Sequence, residues 1–205
     1  MCGRYGREMP WSDLYRWLTI FSPDLPNDPP NMDIRPTTRQ PVVVAGDEGR
    51  ELRFMRWGLV PFWHSGKALK DFKLTTFNAK AETVATAASF KQPYARRRCL
   101  VPASGWYEWT GEKGAKTKWW FTAKTDEPGL TFAGIWERCV TSDQGEVVSF
   151  TIITQPAGAG LNAYHDRAPV VIWAEDRARW LDAGQDSTDL LGPESPDRFN
   201  VAAAV

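Results

Sequence analysis

Thr117-Lys118-Trp119-Trp120-Phe121-Thr122-Ala123-Lys124, Leu130-Thr131-Phe132-Ala133-Gly134-Ile135-Trp136 and Val147-Val148-Ser149-Phe150-Thr151-Ile152-Ile153-Thr154 are three runs rich in β-branched and aromatic residues. Such side chains fit a pleated surface better than a helix. Asp126-Glu127-Pro128-Gly129 and Ser142-Asp143-Gln144-Gly145 stand between the runs and carry turn chemistry. Consecutive strands joined by short turns pair antiparallel, so this stretch predicts an antiparallel sheet at the centre of the fold.

Working outward, Cys99-Leu100-Val101-Pro102 and Ser104-Gly105-Trp106-Tyr107-Glu108-Trp109 extend the sheet on its N-terminal side. The two-residue period of a strand puts Tyr107 and Trp109 on one face and Trp106 and Glu108 on the other. Residues 41–45 and 51–57, parted by Gly46-Asp47-Glu48-Gly49, read as a hairpin, with Leu52, Phe54 and Met55 or Trp57 facing inward. Helices are expected over 12–21, capped by Ser12 and buried through Leu14, Trp17, Leu18 and Phe21, over an Ala-rich segment from about 77 to 90, and over about 175–181. A Pro-rich loop is expected over 23–30 and a strand over 170–173. The class is α+β: a single domain over 1–205, built mainly on antiparallel sheet with a few flanking helices, its tail from about 193 loosely packed.

Composition narrows the function. Lys and Arg number 25, as do Asp and Glu, so the net charge is zero and any nucleic-acid site is a local patch. Three cysteines, Cys2, Cys99 and Cys139, lack metal-ligand spacing and suggest neither a disulfide framework nor a metal site. A reducing, cytoplasmic setting is expected, with no leader and no membrane span. Eleven tryptophans are available as core, anchors or stacking platforms.

Met1-Cys2-Gly3-Arg4 carries the most specific chemistry. Cys2 is small enough to permit removal of Met1. It would then present a thiol and an α-amine on adjacent carbons, a reagent that closes a thiazolidine ring on an aldehyde. With ordinary pKa values of roughly 7.7–8 and 8.5, both groups are usefully reactive near neutral pH. A cysteine there can equally be a residue of a frayed terminus. His165, beside Asp166, is either a hydrogen-bonded structural residue or a general acid/base. Glu108 is either solvent-facing or a buried carboxyl with a raised pKa. Asn78 is either a helix N-cap or a partner for a substrate hydroxyl. Arg96-Arg97-Arg98 is either a solvated cluster or a phosphate contact.

Met-Cys-Gly-Arg at 1–4, Phe-Asn-Ala-Lys-Ala-Glu-Thr at 77–83, Arg-Arg-Cys-Leu-Val-Pro-Ala-Ser-Gly-Trp-Tyr-Glu-Trp at 97–109 and His-Asp-Arg-Ala-Pro at 165–169 occur in this order. The set resembles the SOS-response-associated peptidase (SRAP) family of abasic-site-processing proteins, over almost the whole chain. Ile34-Arg-Pro-Thr and Trp57-Gly-Leu-Val-Pro also look like family segments. The resemblance implies that Cys2 captures the ring-opened deoxyribose aldehyde of an abasic site. Asn78 would hold the sugar or the terminal amine, Glu108 would position the amine and assist proton transfer, and His165 would serve as acid/base. Gly3, Arg4, Pro36, Trp63, Lys80 and Arg167 would line the DNA path. It further implies single-stranded DNA, including junctions with duplex, as partner, no cofactor, a monomer, and association with the nucleoid when bound. Self-processing at Cys2 as a thiol peptidase, an AP-lyase activity and a non-catalytic single-stranded DNA-binding role are the alternatives. Three positions depart from the family pattern: Lys80 replaces the usual Arg, His64 follows Trp63 where a second aromatic can stand, and the end from Phe199 to Val205 lacks an Asn-rich segment.

Overall fold

The computed structural model describes residues 2–21 and 29–204, apart from the side chain of Trp11. Most of the expected Pro-rich loop, together with Met1 and Val205, lies outside them. The fold is α+β: thirteen strands in two sheets with three short α-helices among the described residues.

The strands are β1 (Tyr5–Arg7), β2 (Asn31–Ile34), β3 (Arg39–Gly46), β4 (Gly49–Trp57), β5 (Asn78–Lys80), β6 (Arg98–Ala103), β7 (Gly105–Thr110), β8 (Thr117–Ala123), β9 (Leu130–Thr141), β10 (Gly145–Pro156), β11 (Arg167–Pro169), β12 (Val171–Ile172) and β13 (Phe199–Ala203). The helices are α1 (Trp11–Leu18), α2 (Lys91–Arg96) and α3 (Arg177–Leu181). The smaller sheet runs β13-β8-β7-β1-β2. The larger runs β11-β10-β4-β3-β6-β9-β12, and a further β9–β10 pairing closes β10-β4-β3-β6-β9 into a ring.

The expected central strands form β8, β9 and β10, and the expected hairpin forms β3 and β4 around a two-residue turn. The sheet is not purely antiparallel: β10 pairs parallel with both β4 and β5. Both faces of the β3–β4 hairpin are covered, so its inward set is larger than alternation alone suggests. Val43 and Leu52 pack with Leu14 and Leu18 of α1 and Trp180 of α3. Val42, Val44, Met55 and Trp57 pack instead with Tyr5, Trp106 and Phe121 of the smaller sheet. Trp57 is fully buried, lies edge-on to Tyr5 at 5.1 Å and donates from its indole N–H to the Phe77 carbonyl at 2.8 Å. Truncating such a ring costs about 3–5 kcal/mol.

Several elements differ from expectation. α1 starts at Trp11 with Pro10, not Ser12, at its N-cap, and stops at Thr19 in the left-handed region. Phe21 is thereby released from the helix and exposed. The Ala-rich helix expected from 77 does not form. Asn78 to Lys80 make β5, and isolated turns such as Ala87 N–H to the Thr83 carbonyl follow until α2. The β-branched Thr83, Val84 and Thr86 disfavour helix there, and the β5 edge continues when Ala81 N–H bonds the Thr154 carbonyl at 2.8 Å. Residues 170–173 are divided: Val170 N–H bonds the Ile153 carbonyl between β11 and β12. A 3-10 turn occupies Ala174–Asp176, leaving only Arg177–Leu181 as α-helix. Arg98 is no solvated cluster member: it is buried, with hydrogen bonds to the Tyr94 and Gln185 carbonyls and the Ser187 hydroxyl.

Candidate active site and nucleic-acid path

Antiparallel pairing of β1 with β7 sets Tyr5 opposite Trp106, and Tyr107 N–H bonds the Arg4 carbonyl at 2.9 Å. Extending that register carries Gly3 and Cys2 alongside Glu108 and Trp109. Cys2 is fully buried in the same apolar cluster as Trp106, Phe150 and Ile152. Burial pushes its thiol pKa well up, the Glu108 charge pushes it further, and a hydrogen bond from the Arg4 backbone opposes both. A thiol with an ordinary pKa, as read from the isolated tetrapeptide, is thus overturned by desolvation of the thiolate.

Glu108 shares the inward face of β7 with Trp106 and is 4% exposed. Burial raises its carboxyl to about 8, and the neighbouring Asp166 charge acts in the same direction. The solvent-facing reading of Glu108 is excluded, and burial favours the protonated form of its carboxyl against the opposing charge of the N-terminal amine. His165 is half-buried, and burial lowers its pKa. Its Nδ1 stands 2.9 Å from Arg167 N and 2.7 Å from an Asp166 carboxylate oxygen. Unprotonated, Nδ1 accepts the Arg167 N–H; protonated, it donates to Asp166. The two partners thus select opposite proton states of one ring.

Asn78 is the first residue of β5, not an N-cap. Its amide nitrogen donates to the carbonyls of Phe77 at 3.0 Å and Ile152 at 3.4 Å. Its Oδ1 is buried with no hydrogen-bond partner among the described residues, and an orphaned buried acceptor of this kind wants a donor. Phe77 packs against the cluster that holds Cys2.

Arg4 bonds Asp33 and lies over the Trp109 ring at 5.6 Å. Arg167 is held by both oxygens of Glu82 and bonds the Thr154 carbonyl at 2.6 Å. Lys80 is exposed at the end of β5, whose register on β10 sets it beside Thr154. Lys80, Glu82 and Arg167 therefore share one edge. Gly3 and Pro36 are half-buried. Pro36, Trp57, Phe72 and Phe77 line a cavity of about 430 Å³. Trp63 is exposed and contacts Phe72 at 6.3 Å between ring centroids, which places it at the Phe72 end of that cavity, apart from the Cys2 cluster. His64 is buried against Phe72, its Nε2 3.0 Å from the Ala68 carbonyl, and offers no stacking surface.

The structure thus groups Cys2, Glu108 and the His165–Asp166 pair through packing and electrostatics, with Asn78 one residue from their shared core. Sequence reading missed Asp33 and Glu82, the carboxylates on the two arginines; no local pattern marks either. Among the described residues no group of three or more His, Cys, Asp or Glu is arranged to hold a metal, and no helix is long and apolar enough to cross a membrane.

A two-sheet α+β frame that encloses a cysteine of the N-terminal segment beside a buried carboxyl of raised pKa defines a thiol-and-carboxyl site. The chain belongs to the SOS response associated peptidase (SRAP) family, which it matches over residues 1–203. It is similar to the abasic site processing protein YoqW of Bacillus subtilis, 29% identical over 194 residues, covering 93% of this chain and 84% of that protein. It is similar also to the abasic site processing protein HMCES of Rattus norvegicus, 30% identical over 234 residues, covering 92% and 66%. Its fold matches that of a solved Bacteroides thetaiotaomicron protein with a TM-score of 0.85 at 24% identity, covering 98% of this chain and 91% of that one. A Bordetella bronchiseptica protein gives 0.83 at 24% identity over the full length of both.

Proposed function

We propose that this protein acts in the abasic-site DNA damage response by capturing abasic sites in single-stranded DNA covalently, through a thiazolidine between Cys2, freed by loss of Met1, and the deoxyribose aldehyde. The observation that carries the reading is Glu108: a carboxyl raised to about 8 by burial and acting electrostatically on Cys2. The abasic-site role named for the relatives supports it.

The proton balance follows from these groups. His165 moves a proton on the sugar hydroxyl as the ring opens to the aldehyde. The Cys2 amine adds to C1′ to give a carbinolamine. Neutral Glu108 donates its proton to the hydroxyl, which departs as water and leaves an iminium. Glu108 is now a carboxylate beside a thiol that resists ionisation. It takes the thiol proton as sulfur attacks C1′, so the ring closes and the acid is restored. One water is released, and no free thiolate has to persist in the apolar cluster. Asn78 Oδ1 accepts a hydrogen bond from the sugar or the amine. Arg4, Lys80 and Arg167 meet phosphates, while Pro36 and Trp63 border the strand.

The test is a denaturing gel of untagged protein, with loss of Met1 verified by intact mass, incubated with single-stranded DNA bearing one abasic site. The expected result is a shifted band that survives denaturant, requires the abasic site and is absent from Cys2→Ala. A verified Cys2-terminal protein that gives no such band refutes the proposal.

A further inference from the structure

Arg39 and Arg56 stand directly opposite each other on β3 and β4. Directly opposed residues of an antiparallel pair project to the same face, and like charges so placed repel. Among the described residues neither guanidinium takes part in an ion pair; each spends one N–H on a backbone carbonyl, Arg39 on Phe54 at 3.1 Å and Arg56 on Gly58 at 2.6 Å. Glu146, the one acidic residue among those lining a cavity with Arg39 and Arg56, is occupied by Arg138 through bonds of 3.1 and 2.5 Å. Burial depresses the Arg56 pKa, so the charge is held at a cost.

The surroundings are built to hold it. Arg56 folds back over Gly58, whose φ is 116°, and a Cβ at that position would lie 2.7 Å from its Nη1. Thr37 lies beside the pair with φ 76°, a strained conformation for a β-branched residue, pinned by its N–H to the Trp57 carbonyl at 2.7 Å. Thr37, Arg39 and Arg56 line a cavity of about 500 Å³. Thr37 and Arg56 also line the 430 Å³ cavity that leads past Pro36 and Trp57 to Phe77, the neighbour of Asn78.

We propose that Arg39, Arg56 and Thr37 form a phosphate-binding subsite that takes a backbone phosphodiester of the DNA on the Pro36 side of the candidate active site. Assignment of the phosphate to DNA rests on the function proposed above; the anion site itself rests on the paired arginines. An anion between the guanidiniums relieves their repulsion, and Arg geometry suits bidentate phosphate contact.

The test measures fluorescence anisotropy of an intact single-stranded oligonucleotide across a salt series. Wild type is compared with Arg39→Gln, Arg56→Gln, the double variant and the matching Lys variants. Each Gln variant is expected to make the log–log salt slope shallower by about 0.7, and the double by about 1.4, whereas the Lys variants retain the slope. In phosphate-free, low-salt buffer Arg39→Gln is expected to melt no lower than wild type, because one of two opposed charges is gone. An unchanged slope in the folded double variant, or in Arg39→Gln should the double not fold, overturns the proposal. Thermal shift with inorganic pyrophosphate separates the two readings. Should wild type bind no DNA, a pyrophosphate shift that the variants lose upholds the anion site and sinks the DNA assignment. An equal shift in wild type and variants overturns the site.

Discussion

Glu108→Gln tests whether the carboxyl beside Cys2 is a neutral acid. The native carboxyl is raised from 4.5 to about 8 by burial, and the side chain is 4% exposed, so solvent screening is slight. Below pH 4.5 both the native and unfolded chains carry the proton, and burial adds no ionisation penalty. Between pH 4.5 and about 8 the unfolded chain ionises while the native one keeps its proton, and stability falls as pH rises. At about 1.4 kcal/mol per pH unit, the loss across that window is about 5 kcal/mol, a large part of a typical domain's stability. Glutamine has the same shape and no titration, so its variant lacks this slope, while groups that titrate alike in both proteins cancel in the difference. Urea unfolding of both proteins at pH 4.5, 6, 7.5 and 9 reads it directly. The expected result is that wild type loses ground to the variant by about 5 kcal/mol from the lowest pH to the highest. A difference that is flat with pH, or that favours wild type as pH rises, would falsify the assignment of Glu108 as an acid protonated at neutral pH. The same substitution is expected to slow adduct formation by about 10²-fold or more, the usual contribution of a positioned proton donor.

Cys2→Ser keeps the amine but loses the sulfur, so it should trap abasic DNA only as a borohydride-reducible imine, read by gel with and without reductant. Glu82→Gln frees Arg167 from its carboxylate partner; tighter binding to intact single-stranded DNA is expected, with a stability loss of about 1 kcal/mol, since Glu82 is partly exposed while Arg167 is largely enclosed and keeps its bond to the Thr154 carbonyl. A new Cβ at Gly105 would stand 2.1 Å from the Phe121 backbone oxygen, so Gly105→Ala must separate β7 from β8. A loss of about 2 kcal/mol or more in denaturant unfolding is expected, together with weakened capture because β7 carries Glu108.

The legible parts of the fold are those in which side-chain period and local turn chemistry agree. Trp106 and Glu108 read as one face of a strand and Tyr107 and Trp109 as the other, and the structure buries the first pair together while Tyr107 and Trp109 lie 6.2 Å apart between ring centroids on the opposite face. β5 is different. Asn78-Ala79-Lys80 is strand only because Ile152 to Thr154, more than seventy positions away, offer a free edge, and no three-residue pattern encodes a distant edge. Arg98 resembles its neighbours in composition, yet its partners are carbonyls near position 185, so its burial was equally invisible. α1 departs from its expected ends locally: the helix begins ahead of Ser12, at Trp11 after Pro10, and the left-handed turn at Thr19 ends it before the helical period reaches Phe21.

For the candidate site, residue types are readable in the sequence, whereas the proton state of Cys2 is not and that of Glu108 is left between two alternatives. At neutral pH a carboxyl of ordinary pKa is ionised and a thiol of ordinary pKa is partly so. Enclosed together, both are made harder to ionise by desolvation, and the Glu108 charge raises the cost for Cys2 further. The pair is therefore poor at holding charge and suited to passing a proton. The outer arginines show the complementary case. Arg4 and Arg167 sit with Asp33 and Glu82, whose carboxyls are held below their ordinary range, Asp33 by Arg4 together with Arg35 and Glu82 by Arg167. On the proposed DNA path a phosphate would have to displace a carboxylate at each position, so part of the attraction would be offset before the strand arrives. Among the described residues Arg39 and Arg56 have no carboxylate partner, and a strand entering from the Pro36 side would meet uncompensated charge there first. Binding would then start at that end and proceed toward Cys2. The order has a kinetic signature: neutralising Arg39 should lower the association rate and its salt dependence, whereas Glu82→Gln should act mainly on dissociation.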